Sequence, residues 1–145
     1  MGAARPRRVI LMIDDEASGR RITKLLLERS GYQVLTAPGG EEGLVLAKTE
    51  HPDVILLDII MPRMDGYETL QHLKRDPDTR VIPVLMLTAR GSDQDIAMSF
   101  KLGAVFHLDK PFETRDLLRK IEGALARAAQ EDGGAAGPTG PSSTG

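Results

Sequence analysis

The sequence predicts an α/β domain built on a sheet of five parallel strands, with helices on both faces. Three observations predict it. Short apolar runs alternate with amphipathic stretches five times along the chain. The runs are apolar throughout, as strands buried on both faces require. The stretches between them carry apolar residues three and four apart, which puts one apolar face on each helix.

The first strand is expected over Arg8–Ile13, and the first helix over Ala17–Arg29 with Ile22, Leu25 and Leu26 as its apolar face. Gln33–Thr36 reads as a second strand, followed by a helix over Glu41–Thr49 carrying Leu44 and Leu46. The third strand, Asp53–Leu57, precedes a helix over Gly66–Arg75 with Leu70 and Leu73. Pro83–Leu87 is the fourth, and Pro83 suits a first position because its missing N–H is tolerated there. A helix over Ser92–Leu102 with Ile96 and Phe100 follows, Ser92 and Asp95 having capping-box spacing. Ala104–Leu108 is the last strand. Glu113–Ala128 closes the series with Leu117, Ile121 and Leu125 at four-residue steps. Gly31 and Gly103 stand where helix ends favour a residue free to adopt positive φ.

The 145 residues suffice for one domain that buries about two thirds of its unfolded surface. Apolar content of 41% and charged content of 28% are those of a globular protein. A formal charge of −2 gives no global attraction to nucleic acid or to an anionic membrane. Without cysteine there are no disulfides or thiolate metal sites, and a reducing compartment fits. The apolar run after the basic start "MGAARPRR" is too short for a signal core or a membrane span, so a cytoplasmic protein is expected. Residues 1–6 read as a flexible arm. Residues 129–145, "AQEDGGAAGPTGPSSTG", have no large apolar side chain and read as a flexible tail.

Ligands bind outside the carboxyl ends of strands in such sheets. Asp14 and Asp15 follow the first strand, Asp58 the third, Thr88 the fourth and Lys110 the fifth. The second strand ends in "TAPGG" and offers nothing ionisable. Three carboxylates on one rim repel each other and invite a divalent cation. Oxygen donors alone select a hard ion, with Mg²⁺ favoured and Mn²⁺ able to substitute. Helix capping would account for Asp14 and Asp15 but not for Asp58 and Lys110. A structural ion pair for Lys110 and an ordinary strand place for Thr88 each work singly and poorly together. A phosphoryl group beside Asp58 needs its oxygens neutralised by a metal, an ammonium, a hydroxyl and turn N–H groups. Carboxylates form aspartyl-phosphates when charge is managed in this way.

The motifs "ILMIDDEAS", "VILLDIIMPRMDGYETL", "VLMLTA" and "LDKPF" resemble, in order and spacing, the receiver domains of bacterial two-component response regulators. The resemblance covers about residues 7–128. It implies a flavodoxin-like, doubly wound fold with strand order 2-1-3-4-5, and Asp58 as acceptor of a phosphoryl group from a histidine kinase or histidine phosphotransfer protein. It implies Mg²⁺ on Asp15, Asp58 and the Ile60 carbonyl, with Asp14 nearby. Phosphoryl oxygens would meet Lys110, Thr88 and the amides of Ile59 and Ala89. The Lys110–Pro111 bond would be cis. Thr88 and residue 107 would act as the switch, and output would leave through the fourth helix, fifth strand and fifth helix. The protein would be a monomer or a phosphorylation-dependent dimer, with no enzymatic turnover beyond its own phosphoryl chemistry.

Two departures stand out. His107 occupies a place where the family usually carries Tyr or Phe, and Asp109 adds an acid beside Lys110. His107 is expected to be half-exposed. Ile60 and Arg90 flank the path by which water reaches an acyl-phosphate in the family. A longer regulator with a DNA-binding or enzymatic output part is the alternative reading. A haloacid-dehalogenase-like phosphatase is a distant one, because it needs a second Asp where Ile60 stands.

Overall fold

Runs of Val, Ile, Leu and Met make the central strands of the sheet, because successive side chains point to opposite faces and helices cover both. The computed structural model describes residues 7–89 and 93–136. In chain order it shows β1 (Val9–Ile13), α1 (Ala17–Arg29), β2 (Gln33–Ala37), α2 (Gly40–Glu50) and β3 (Val54–Asp58). Then come α3 (Gly66–Arg75), β4 (Val84–Thr88), α4 (Asp93–Lys101), β5 (Phe106–Asp109) and α5 (Thr114–Ala136). Every strand pair is parallel, and the order is β2-β1-β3-β4-β5. The expected doubly wound α/β fold is the observed one.

The two-residue period divides the core in two. Leu11, Ile13, Ile55, Leu57, Val84 and Met86 face Ala47, Leu70 and Leu73 of α2 and α3. Ile10, Met12, Val54, Leu56, Leu85 and Leu87 face Leu27 of α1 and Leu117, Ile121 and Ala124 of α5. Each Val, Leu, Ile or Met side chain among them, taken fully from water, contributes about 1.5–3 kcal/mol. A one-residue slip of β3 would exchange the two sets and draw Asp58 into the sheet. The packing that stabilises the fold therefore also holds Asp58 at the rim.

Several boundaries differ from expectation. β3 and β4 run one residue further, so Asp58 and Thr88 are the last residues of their strands. β5 starts at Phe106, because Ala104 still bonds back to the Ser99 carbonyl of α4. α5 runs to Ala136, well into the segment expected to be a flexible tail. Ala128, Ala129 and Gln130 are good helix formers and extend the helix beyond Ile121 and Ala124 of the core. Residues 1–6, 90–92 (Arg90 and the expected cap Ser92 among them) and 137–145 lie outside the described residues. Gly31 and Gly103 do take positive φ, 99° and 111°. On α1 the buried residues are Thr23 and Leu27, while Ile22 and Leu25 are exposed. Phe100 of α4 is exposed as well.

Candidate functional site

The strand order reverses between β1 and β3, and the crevice at their carboxyl ends opens there. Asp14 follows β1 and is buried. Its Oδ1 accepts the Glu16 N–H at 2.9 Å, and its Oδ2 lies 3.0 Å from Lys110 Nζ. Glu16, not the acid pair, is the N-cap of α1, and its carboxylate accepts the Gly19 N–H. Arg20 donates to the Asp14 carbonyl at 2.6 Å, tying the first turn of α1 to the loop. These two contacts were not anticipated from sequence, although Glu16 three residues before Gly19 is a readable cap spacing.

Asp58 ends β3 with its Oδ2 3.5 Å from Lys110 Nζ. Oxygens of Asp14, Asp15 and Asp58 lie within 4.8 Å of one another, Asp15 being the exposed member. Lys110 reaches this group because its own N–H donates to the Thr88 carbonyl at 2.6 Å, at the ends of β4 and β5. The Lys110–Pro111 peptide bond is cis. Thr88 is buried, and Ala89 lines the same cleft. Four strand ends thus bring together the acids, the hydroxyl residue and the ammonium expected from sequence.

The amide expectation needs correction. Ile59 N–H donates to the Leu87 carbonyl at 3.0 Å, and its carbonyl accepts the Gly66 N–H at 2.8 Å. Both backbone groups of Ile59 are engaged in the fold, and its N–H is not left for a ligand. The amide that faces the Asp58 carboxylate belongs to Ile60. Gly66 permits this arrangement: a Cβ there would collide with the Asp58 carbonyl and the Ile59 Cα. α3 therefore starts against the exit of β3, with Asp65 capping it through the Glu68 N–H at 2.9 Å.

Burial pushes the Asp58 carboxyl up to about 6; Lys110 opposes this and neighbouring Asp14 adds to it. Burial also works against the Lys110 charge. Asp14 and Asp58 outweigh it and hold the ammonium's pKa above its ordinary value. One ammonium among three carboxylates leaves surplus negative charge. With oxygen donors only, that set suits a hard divalent cation such as Mg²⁺. The cleft above it, about 790 Å³, is rimmed by Ile22, Leu26, Ile60 and Phe112. Ile22 and Ile60 are 60% and 65% exposed, which forms an apolar collar around a charged floor.

Residues 10–122 match the response regulator receiver domain family. The chain belongs to that family. Receiver domains are the signal-accepting parts of two-component systems, not enzymes in the usual sense, and this one is similar in sequence to regulators of transcription. It is 40% identical over 119 residues to the alkaline phosphatase synthesis transcriptional regulatory protein PhoP of Bacillus subtilis, covering 82% of this chain and 49% of PhoP. It is 42% identical over 118 residues to the DNA-binding dual master transcriptional regulator RpaA of Synechocystis, covering 81% of this chain and 49% of RpaA. The chain thus spans about half the length of these relatives. The CheY-like receiver domain protein of Methanospirillum hungatei superposes with a TM-score of 0.81 at 32% identity, over 87% of this chain and 99% of that one.

His107 differs from expectation. Its side chain is 5% exposed, not half-exposed, and its Nδ1 stands 3.6 Å from Asp109 Oδ1. Asp109 therefore lies beside the ring, while Lys110 turns to Asp14 and Asp58. Among the described residues no helix is long and apolar enough to cross a membrane.

Proposed function

We propose that this receiver domain accepts a phosphoryl group on Asp58 from the phosphohistidine of a sensor kinase or phosphotransfer protein. The observation that carries this is Lys110, whose ammonium sits 3.0 Å from Asp14 and 3.5 Å from Asp58 beside a three-carboxylate cluster. An Asp58 oxygen attacks phosphorus, the P–N bond breaks, and the imidazole leaves with the electron pair. Lys110, the Thr88 hydroxyl and the Ile60 and Ala89 amides would receive the equatorial oxygens, as a transfer governed by positioning and electrostatics requires. Asp14, Asp15, Asp58 and the Ile60 carbonyl would hold Mg²⁺, which supplies charge neutralisation at the phosphoryl oxygens. The apolar collar of Ile22, Leu26 and Ile60 suits the docking of a donor protein around the charged floor.

The domain works in the cytoplasm and passes its signal on through α4, β5 and α5, with Thr88 and His107 as moving parts. Incubation with acetyl phosphate and Mg²⁺ should add one base-labile phosphate to the wild type and none to Asp58→Asn. Comparable labelling of the variant would defeat the assignment.

The relatives' names and lengths favour a second reading, in which this domain is the receiver of a longer transcription regulator. An immunoblot of the source cells separates the two, with a band at 15.7 kDa for the domain alone and a markedly larger one for the longer protein.

A further inference from the structure

The ring of His107 lies on β5, the edge strand, beside Met86 of β4. Its Nε2 is buried and has no hydrogen-bond partner among the described residues. In the neutral ring, a proton on Nδ1, the nitrogen 3.6 Å from Asp109 Oδ1, leaves Nε2 as a bare lone pair. A second proton would place a buried N–H where the described residues offer it no acceptor, which is expensive. Burial accordingly lowers the imidazole pKa, against the opposing pull of Asp109 and of Asp95 on α4. His107 also lines an open groove of about 510 Å³ between α4 and α5. The charged groups of that groove are the carboxylates of Asp109, Glu113 and Asp116 and the ammonium of Lys120. Lys120 is held over the Phe106 ring, 5.4 Å from its centre. The groove is therefore a site that favours imidazolium, next to a pocket that rejects it.

We propose that His107 is a proton-gated switch, its neutral ring packed inside the β5 face and its protonated ring turned out into the acidic groove between α4 and α5. The inward state binds fewer protons, so it prevails at high pH and yields as pH falls through and below the ordinary imidazole range of about 6.5. The turn removes the ring from beneath α4 and fills a groove that Ile96 and Phe100 also line. Acidification would thus reshape this face without any chemistry at Asp58, so the inference stands apart from the phosphorylation reading.

The full chain, labelled for histidine side-chain NMR, tests it between pH 8 and pH 5, with His107→Phe identifying the resonance. The His107 midpoint should fall below about 6.5. A soluble paramagnetic chelate should broaden the ring signal at pH 5 and leave it sharp at pH 8. Ile96 and Phe100 signals should shift with the same midpoint, and that shift should vanish in His107→Phe. Glu113→Gln with Asp116→Asn should move the midpoint lower still. A ring that titrates while staying protected from the chelate overturns the proposal, as does a midpoint at or above 6.5.

Discussion

Replacing Asp58 by Asn should stabilise the metal-free protein at neutral pH and lose that advantage in acid. Burial, with Asp14 adding and Lys110 opposing, raises the Asp58 carboxyl from 3.8 to about 6. A carboxyl whose folded pKa lies above its unfolded one binds its proton more tightly when folded. Ionising it therefore costs stability, progressively between about pH 4 and 6 and by a constant amount above. Two pH units correspond to about 3 kcal/mol. The carboxylate stands on the floor of an open cleft, where solvent partly screens it, so about 1–2 kcal/mol is the expected gain from the neutral amide. For a domain of this size that is a rise in Tm of about 4–8 °C.

Urea unfolding followed by far-UV circular dichroism, in chelator at pH 7.5 and again near pH 4, reads both halves of the argument. A variant no more stable than wild type at pH 7.5 would refute it, and so would an equal gain at both pH values. Asp14 is the wrong residue for this experiment although it belongs to the same cluster. Removing it discards the close partner of Lys110 and the acceptor of the Glu16 N–H.

Three further outcomes follow from the same contacts. Mg²⁺ at about 10 mM should raise the Tm of the wild type more than that of Asp58→Asn, since ligands that bind only the folded state stabilise it; equal shifts in a thermal melt would remove Asp58 from the metal site. Gly66→Ala should cost about 1–3 kcal/mol in urea unfolding, because its Cβ meets the backbone of Asp58 and Ile59 rather than a side chain that can move. An unchanged midpoint would mean that α3 can back away from β3. Tyr67→Phe removes the hydroxyl that donates to Asp95 Oδ1 at 2.9 Å and joins α3 to α4. It should cost about 1 kcal/mol and speed amide exchange in α4, and unaltered exchange there would show that the bond does not restrain the helix.

The strands were legible because a sheet buried on both faces leaves a simple trace, continuous apolar runs ending in polar residues. The rim acids were legible for the same reason: Asp14 and Asp58 stand where those runs stop. The apolar face of α1 was not. Ile22, Leu25, Leu26 and Leu27 supply apolar side chains over a wide arc, so periodicity alone admits several rotations about the helix axis. The structure selects the one that buries Thr23 and Leu27 and turns Ile22 toward the cleft. An apolar residue left over by the core is thereby freed to surround the site. The backbone donors were illegible for a different reason. Ile59 and Ile60 differ by one position in sequence but by a whole role in space, because the β3–β4 ladder claims the first N–H and leaves the second facing Asp58. Register decides which amide meets a ligand, and register belongs to the sheet rather than to any local motif. His107 carries the argument furthest: its place on the edge strand predicts a half-exposed ring, yet the side chain is buried and leaves a nitrogen without a partner among the described residues. A side chain placed against its own hydration preference is where a protein of this fold can respond to a signal other than phosphate.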